Sequence, residues 1–95
     1  MYKHERGNTL RVTVVCTDPD TGALVDPSSM TCVVEKPDGV EKYSGAMSQV
    51  GTGTYRAEVE IAFTDDIGYY LIKTYGTYDT KQVADSEKVK VVEVI

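Results

Sequence analysis

The longest strict alternation of apolar and polar residues runs through Tyr55, Ala57, Val59, Ile61 and Phe63, with Arg56, Glu58, Glu60 and Ala62 on the opposite phase. A period of two with one polar side predicts a β-strand that is covered on one face and wet on the other. Residues 8–17 alternate in the same way. Leu10, Val12, Val14 and Cys16 share one phase, Thr9, Arg11, Thr13 and Thr17 take the other, and Val15 is the exception. Met30, Cys32 and Val34, set against Thr31, Val33 and Glu35, predict a further strand. Shorter pieces are expected over residues 2–6, ended by Gly7-Asn8, over 23–25 and over 40–44. Residues 69–75 and 83–95 complete the set. In the last of these Val89 and Val91 share a phase while Val92 and Val94 take the opposite one, so a bulge or a sheet covered on both faces is expected.

Turn chemistry separates these runs. Asp18-Pro19-Asp20-Thr21-Gly22, Asp26-Pro27-Ser28-Ser29, Pro37-Asp38-Gly39 and Thr64-Asp65-Asp66 all carry residues that reverse a chain. Residues 45–54, with Gly45, Gly51 and Gly53, and residues 76–81 read as loops. No stretch has helical period. About seven short strands with turns between them predict one all-β domain over residues 1–95, an antiparallel β-sandwich.

Asp66-Ile67-Gly68-Tyr69-Tyr70-Leu71-Ile72 refines that expectation. An acid, a glycine, a tyrosine and an apolar residue at alternate positions are the order of a tyrosine corner, in which a Tyr near a strand start bonds its hydroxyl to upstream backbone. Gly68 permits a tight approach to the strand, and Tyr70 pins the incoming loop. On these residues the chain resembles immunoglobulin-like sandwich domains, with Ile72 where antibody domains carry their second core cysteine. Gly22 with Asp26-Pro27, Pro37-Asp38-Gly39 and Gly53-Thr54-Tyr55 are similar to the small immunoglobulin-like domains of tailed-phage virion proteins and bacterial surface proteins. The likeness runs from Gly7 to the C-terminus. Antibody-type domains also have a core tryptophan, which this chain lacks.

Composition narrows the role. A net charge of −5 disfavours a nucleic-acid partner, which calls for a basic stripe. No apolar run approaches the roughly 18 residues of a membrane span. The polar Met1–Gly7 segment has no apolar core of a signal peptide, so the expectation is a chain made in the cytosol or one shorn of its leader. Seven tyrosines against one Phe and no Trp are the compositional oddity. Some are expected in the core and some at a contact surface, because the ring joins apolar area to a polar tip.

Candidate chemistry is sparse. His4 is the sole histidine, with no nucleophile at a readable spacing, so an enzyme is not expected. Cys16 and Cys32 fall on apolar phases and are expected as buried free thiols, since a zinc site would need more ligands. Asp18, Asp20 and Asp26 resemble the opening of a calcium loop, but Gly22 stands where a further ligand is needed. The expectation is therefore no metal, with Asp side chains closing their own turns.

If Tyr70, Ile72 and Thr74 point inward, then Tyr69, Leu71, Lys73 and Tyr75 point outward beside Thr31, Val33 and Glu35, with Val92 and Val94 as further candidates. Val33, Tyr69, Leu71 and Tyr75 are the expected protein-contact residues, and Asp66, Gly68 and Tyr70 the structural ones. The resemblance is specific for fold; taken with the missing leader, the missing catalytic set and the apolar outer face, it leads to the expectation of a non-enzymatic virion subunit without cofactor, either a capsid decoration or a head–tail accessory protein. Such a subunit docks on a larger assembly and is a monomer or weak oligomer alone. The alternative is a carbohydrate- or protein-binding module of a bacterial cell surface.

Overall fold

The computed structural model describes residues 2–18, 20–78 and 81–93. Among them eight strands form: β1 (Tyr2–Glu5), β2 (Thr9–Val15), β3 (Ser28–Glu35), β4 (Glu41–Ala46), β5 (Ser48–Gly51), β6 (Thr54–Glu60), β7 (Gly68–Tyr78) and β8 (Lys81–Val92). They build one sheet in the order β1-β8-β7-β3-β4 and a second in the order β2-β6-β5. All pairings are antiparallel except that of β1 with β8, which is parallel. The fold is thus an all-β sandwich of eight strands, in which β5 is new and the short strand expected over residues 23–25 is reduced to an isolated bridge between Leu24 and Thr17.

The inward phases meet between the sheets. Leu10 and Val12 of β2 and Tyr55, Ala57 and Val59 of β6, with Ile61 just beyond, pack against Cys32, Val34, Tyr70, Ile72, Val89 and Val91 of the larger sheet. Each fully buried aliphatic side chain contributes about 1.5–3 kcal/mol relative to exposure, so this layer supplies the main driving force. Val89 and Val91 are buried and Val92 is half-buried, with no shift along the β7–β8 register. Of the two expectations for this strand, partial cover on both faces is the one realised. Val94 lies outside the described residues.

Four expectations need correction. Residues 45–54 contain strand β5 and the end of β4, joined at the buried Met47, whose amide donates to the Met30 carbonyl as the chain changes sheets. Every residue of β5 is exposed, so it carries no hydrophobic signal. Residues 76–78 belong to β7 and Lys81 to β8, the two strands pairing as far as Tyr78 and Lys81, while residues 79–80 of the expected loop lie outside the described residues. Gly76 is there because a Cβ would lie 3.2 Å from the Ser28 carbonyl oxygen and 3.3 Å from Met30 Cα. It marks a close backbone approach rather than a turn. Phe63 departs from its alternation: β6 ends at Glu60, and the exposed Phe63 ring covers Gly7. Finally, the closing strand starts at Lys81 and ends at Val92.

The corner forms as expected. The Tyr70 hydroxyl donates to the Asp66 carbonyl at 2.7 Å, and Gly68 has a φ of 131°, a conformation that favours glycine. A Cβ on Gly68 would stand 3.1 Å from Pro37 Cγ, so the β6–β7 connection lies close against the β3–β4 turn. A second tyrosine tie has no counterpart in the sequence reading. Tyr55 donates to the Pro27 carbonyl at 2.9 Å, while the Asp26 carboxylate accepts from the Gly53 amide at 2.7 Å.

Candidate docking face

β7 is paired along both edges, with β3 on one side and β8 on the other. Its inward side chains Tyr70, Ile72 and Thr74 are buried, which sends Tyr69, Leu71, Lys73 and Tyr75 to the outer surface. Tyr69 is 50% exposed and Tyr75 40%, whereas Leu71 and Val33 are half-buried. Val33 stands opposite Lys73, so its diagonal neighbours on β7 are Leu71 and Tyr75. The four expected contact residues therefore share one face of two adjacent strands.

That face is more charged than a purely apolar patch. Lys73 Nζ reaches Glu35 at 3.1 Å and separates Tyr75 from Leu71. On β8, Lys88 lies opposite Leu71 and Lys90 opposite Tyr69, with the Lys90 ammonium 5.8 Å from the centre of the Tyr69 ring. A cation at that distance is attracted to the ring face. Lysines thus gather here on a chain that is acidic as a whole, a feature that only the β7–β8 register discloses. Val92 is half-buried opposite Glu5, at the β1 side of the same face.

The other candidate groups sit elsewhere. His4 is buried, and its Nε2 donates to the Asn8 carbonyl at 2.8 Å, bracing the β1–β2 turn. Cys16 and Cys32 are buried free thiols, and burial pushes both up in pKa. For Cys16 the nearby Asp26 adds to the shift.

The Asp18 carboxylate accepts from the Asp20 and Thr21 amides, closing its own turn. Asp26 is engaged by Gly53 and by the Gln49 side chain, and so faces a different loop. Asp65 is lifted by burial, but the Lys42 ammonium at 2.7 Å and the Ala62 amide outweigh that and hold it below the usual carboxylate range. Burial, with Asp65 and Asp66 nearby, pushes the Tyr70 phenol up to about 12.

The tyrosines divide by position. Tyr55 and Tyr70 are buried, Tyr43 and Tyr78 pack partly against the core, and Tyr69 and Tyr75 face outward. No protein-family model matches the chain, and no curated protein sequence matches it.

Proposed function

We propose that this protein is a non-enzymatic structural subunit of a virus particle of the tailed-phage kind, docking on a larger shell or head–tail assembly through the outer face of β3, β7 and β8. The observation that carries the reading is the pair of outward tyrosines, Tyr69 and Tyr75, held with Leu71 and Val33 on strands paired on both sides. Tyrosines on a rigid sheet lose little conformational freedom on binding and are common interface anchors. Lys88 and Lys90 add a basic margin on β8, while Lys73 in the middle of the face is paired with Glu35, so the complementary surface carries carboxylates on the β8 side of an apolar patch.

Two further features support the reading. The Tyr70–Asp66 corner supports the resemblance to immunoglobulin-like domains. The side chains best suited to acid–base or nucleophilic work, His4, Cys16 and Cys32, are packed inside the sandwich rather than presented to a substrate. A small rigid module of this type gains most when its contact is repeated over a symmetric lattice.

Fractionation of the native source on a density gradient, with the protein followed by antibody, tests the proposal. Co-sedimentation with particles is expected. Recovery with the cell envelope would replace the reading with that of a surface-binding module. On particles stripped of the subunit, Tyr69→Ala with Tyr75→Ala is expected to abolish rebinding, each truncation costing about 2 kcal/mol or more. Arg56→Ala and Glu58→Ala, on the other sheet, are expected to leave it intact.

A further inference from the structure

The two sheets do not close on each other along the side where β2 and β8 run. β1 covers β8 only from Val89 to Val92, and β2 is the outermost strand of its sheet. A row of hollows follows this side. The first, of about 360 Å³, lies between Val14 and Val83 over Met30; a constriction of about 30 Å³ past Thr13, Ile72 and Glu87 separates it from a second, of about 280 Å³, beside Leu10.

The backbone along its two rims differs. The Cys16 amide donates to Gly53 and the Asn8 carbonyl accepts from Ile61, so the even-numbered residues of β2 bond to β6. By the alternation of an antiparallel ladder, the amides and carbonyls of Thr9, Arg11, Thr13 and Val15 then point out of the sheet, with no strand beside them among the described residues. On the facing rim the Ser86 amide is already taken by the Asp85 carboxylate at 2.9 Å. The β2 rim is open for pairing along its length, and the β8 rim is blunted at Ser86 by a neighbouring side chain.

The row also has a charge pattern. Asp85 and Glu87 pair with Thr74 and Ile72, so they occupy the inward phase of β8, where they are exposed to the constriction rather than buried. Val83, on the same phase, is half-buried beside the first hollow. Moving from Val83 along β8, the inward positions therefore read apolar, acidic, acidic.

From these observations we infer that the β2–β8 side accepts an extended segment of a protein partner, which adds a strand antiparallel to β2 and presents one apolar and then two basic side chains inward, at alternate positions. The free amides and carbonyls of Thr9, Arg11, Thr13 and Val15 supply the strand pairing. The apolar side chain enters between Val14 and Val83, and the basic ones meet Asp85 and Glu87. This site lies on a different side of the molecule from the tyrosine face and does not depend on it.

A capped Thr-Val-Thr-Lys-Thr-Lys-Thr peptide and its counterpart with glutamates for lysines provide the probe, with binding followed by titration and amide hydrogen exchange on the whole chain. The lysine peptide is expected to bind and to slow exchange at Thr9, Arg11, Thr13 and Val15, while the glutamate peptide does not bind. The Asp85→Lys, Glu87→Lys double variant, at two exposed positions, should reverse that preference, weakening the lysine peptide by about tenfold or more. Thr13→Pro removes one outward amide and is expected to lose binding while β2 stays paired to β6.

Equal binding of both peptides, protection confined to other strands, or no binding at millimolar peptide would each overturn the inference. So would concentration-dependent protection of the same amides without peptide, which would identify a second copy of the chain as the occupant. Tyr69→Ala with Tyr75→Ala should leave peptide binding unchanged, which separates this site from the docking face.

Discussion

At the scale of single residues, Tyr70 does the most to fix the β6–β7 connection. Its ring is fully buried and its hydroxyl ties the strand to Asp66 four residues upstream. Tyr70→Phe keeps the ring and removes the bond, for an expected loss of about 0.5–1.5 kcal/mol in urea melts. The same residue sets an alkaline limit. Its folded pKa of about 12 lies above the ordinary tyrosine value near 10, so the fold favours the neutral phenol. That contribution is complete below the ordinary value and is lost as pH rises through the folded one, amounting to about 2–3 kcal/mol. The Phe variant should therefore lose less stability than the parent on going from neutral pH to about 12. Part of the alkaline loss will persist, because burial also raises Tyr55. The two thiols complete this scale. Buried and raised in pKa, Cys16 and Cys32 are expected to resist alkylation in the native state and to react promptly in denaturant, as mass spectrometry would show.

At the scale of elements, the connections hold as much information as the strands. Gly68 combines a φ of 131° with close contact to Pro37, so Gly68→Ala should cost about 1–3 kcal/mol through backbone strain. The same connection contains Asp65, held below its usual range by Lys42 of β4. Its contribution is present above the ordinary carboxylate value and lost as pH falls through the folded one. Lys42→Met should accordingly raise the acid midpoint slightly, by the small amount that partly exposed ion pairs provide. The corner was legible in sequence because a glycine, a tyrosine and an apolar residue at fixed spacing leave a local mark. So were β2, β3 and β6, where burial on one face writes an alternation. β5 was not, since an edge strand exposed on both faces has no apolar phase. Gly76 misled for a related reason: a glycine needed for close approach and one needed for a turn look alike in sequence. The outward placement of Tyr69 and Tyr75 followed from counting alternate residues, but the lysines beside them and the hollows along β2 depend on which strands become neighbours.

At the scale of the whole molecule, the strand order predicts a gradient of local stability. β7 has partners on both sides along most of its length, and β3 is flanked by β7 and β4. Their amides can exchange only when two ladders and the core between the sheets open together. β5 pairs on one side only, is exposed throughout and shows a register shift near its end, so its opening disturbs little else. β2 presents a mixed case: Leu10, Val12 and Val14 bond to β6 over buried or half-buried side chains, whereas Thr9, Arg11, Thr13 and Val15 direct their amides to the open side. Native-state hydrogen exchange should rank the amides accordingly. Ile72 and Val34 should be slowest, near the global unfolding free energy, and those of β5 among the fastest. Along β2, protection should alternate residue by residue, with the even positions slow and the odd ones fast. Uniform protection along β2 would mean that its free side is already covered, and the two-sheet arrangement with an open flank would then be wrong at that edge.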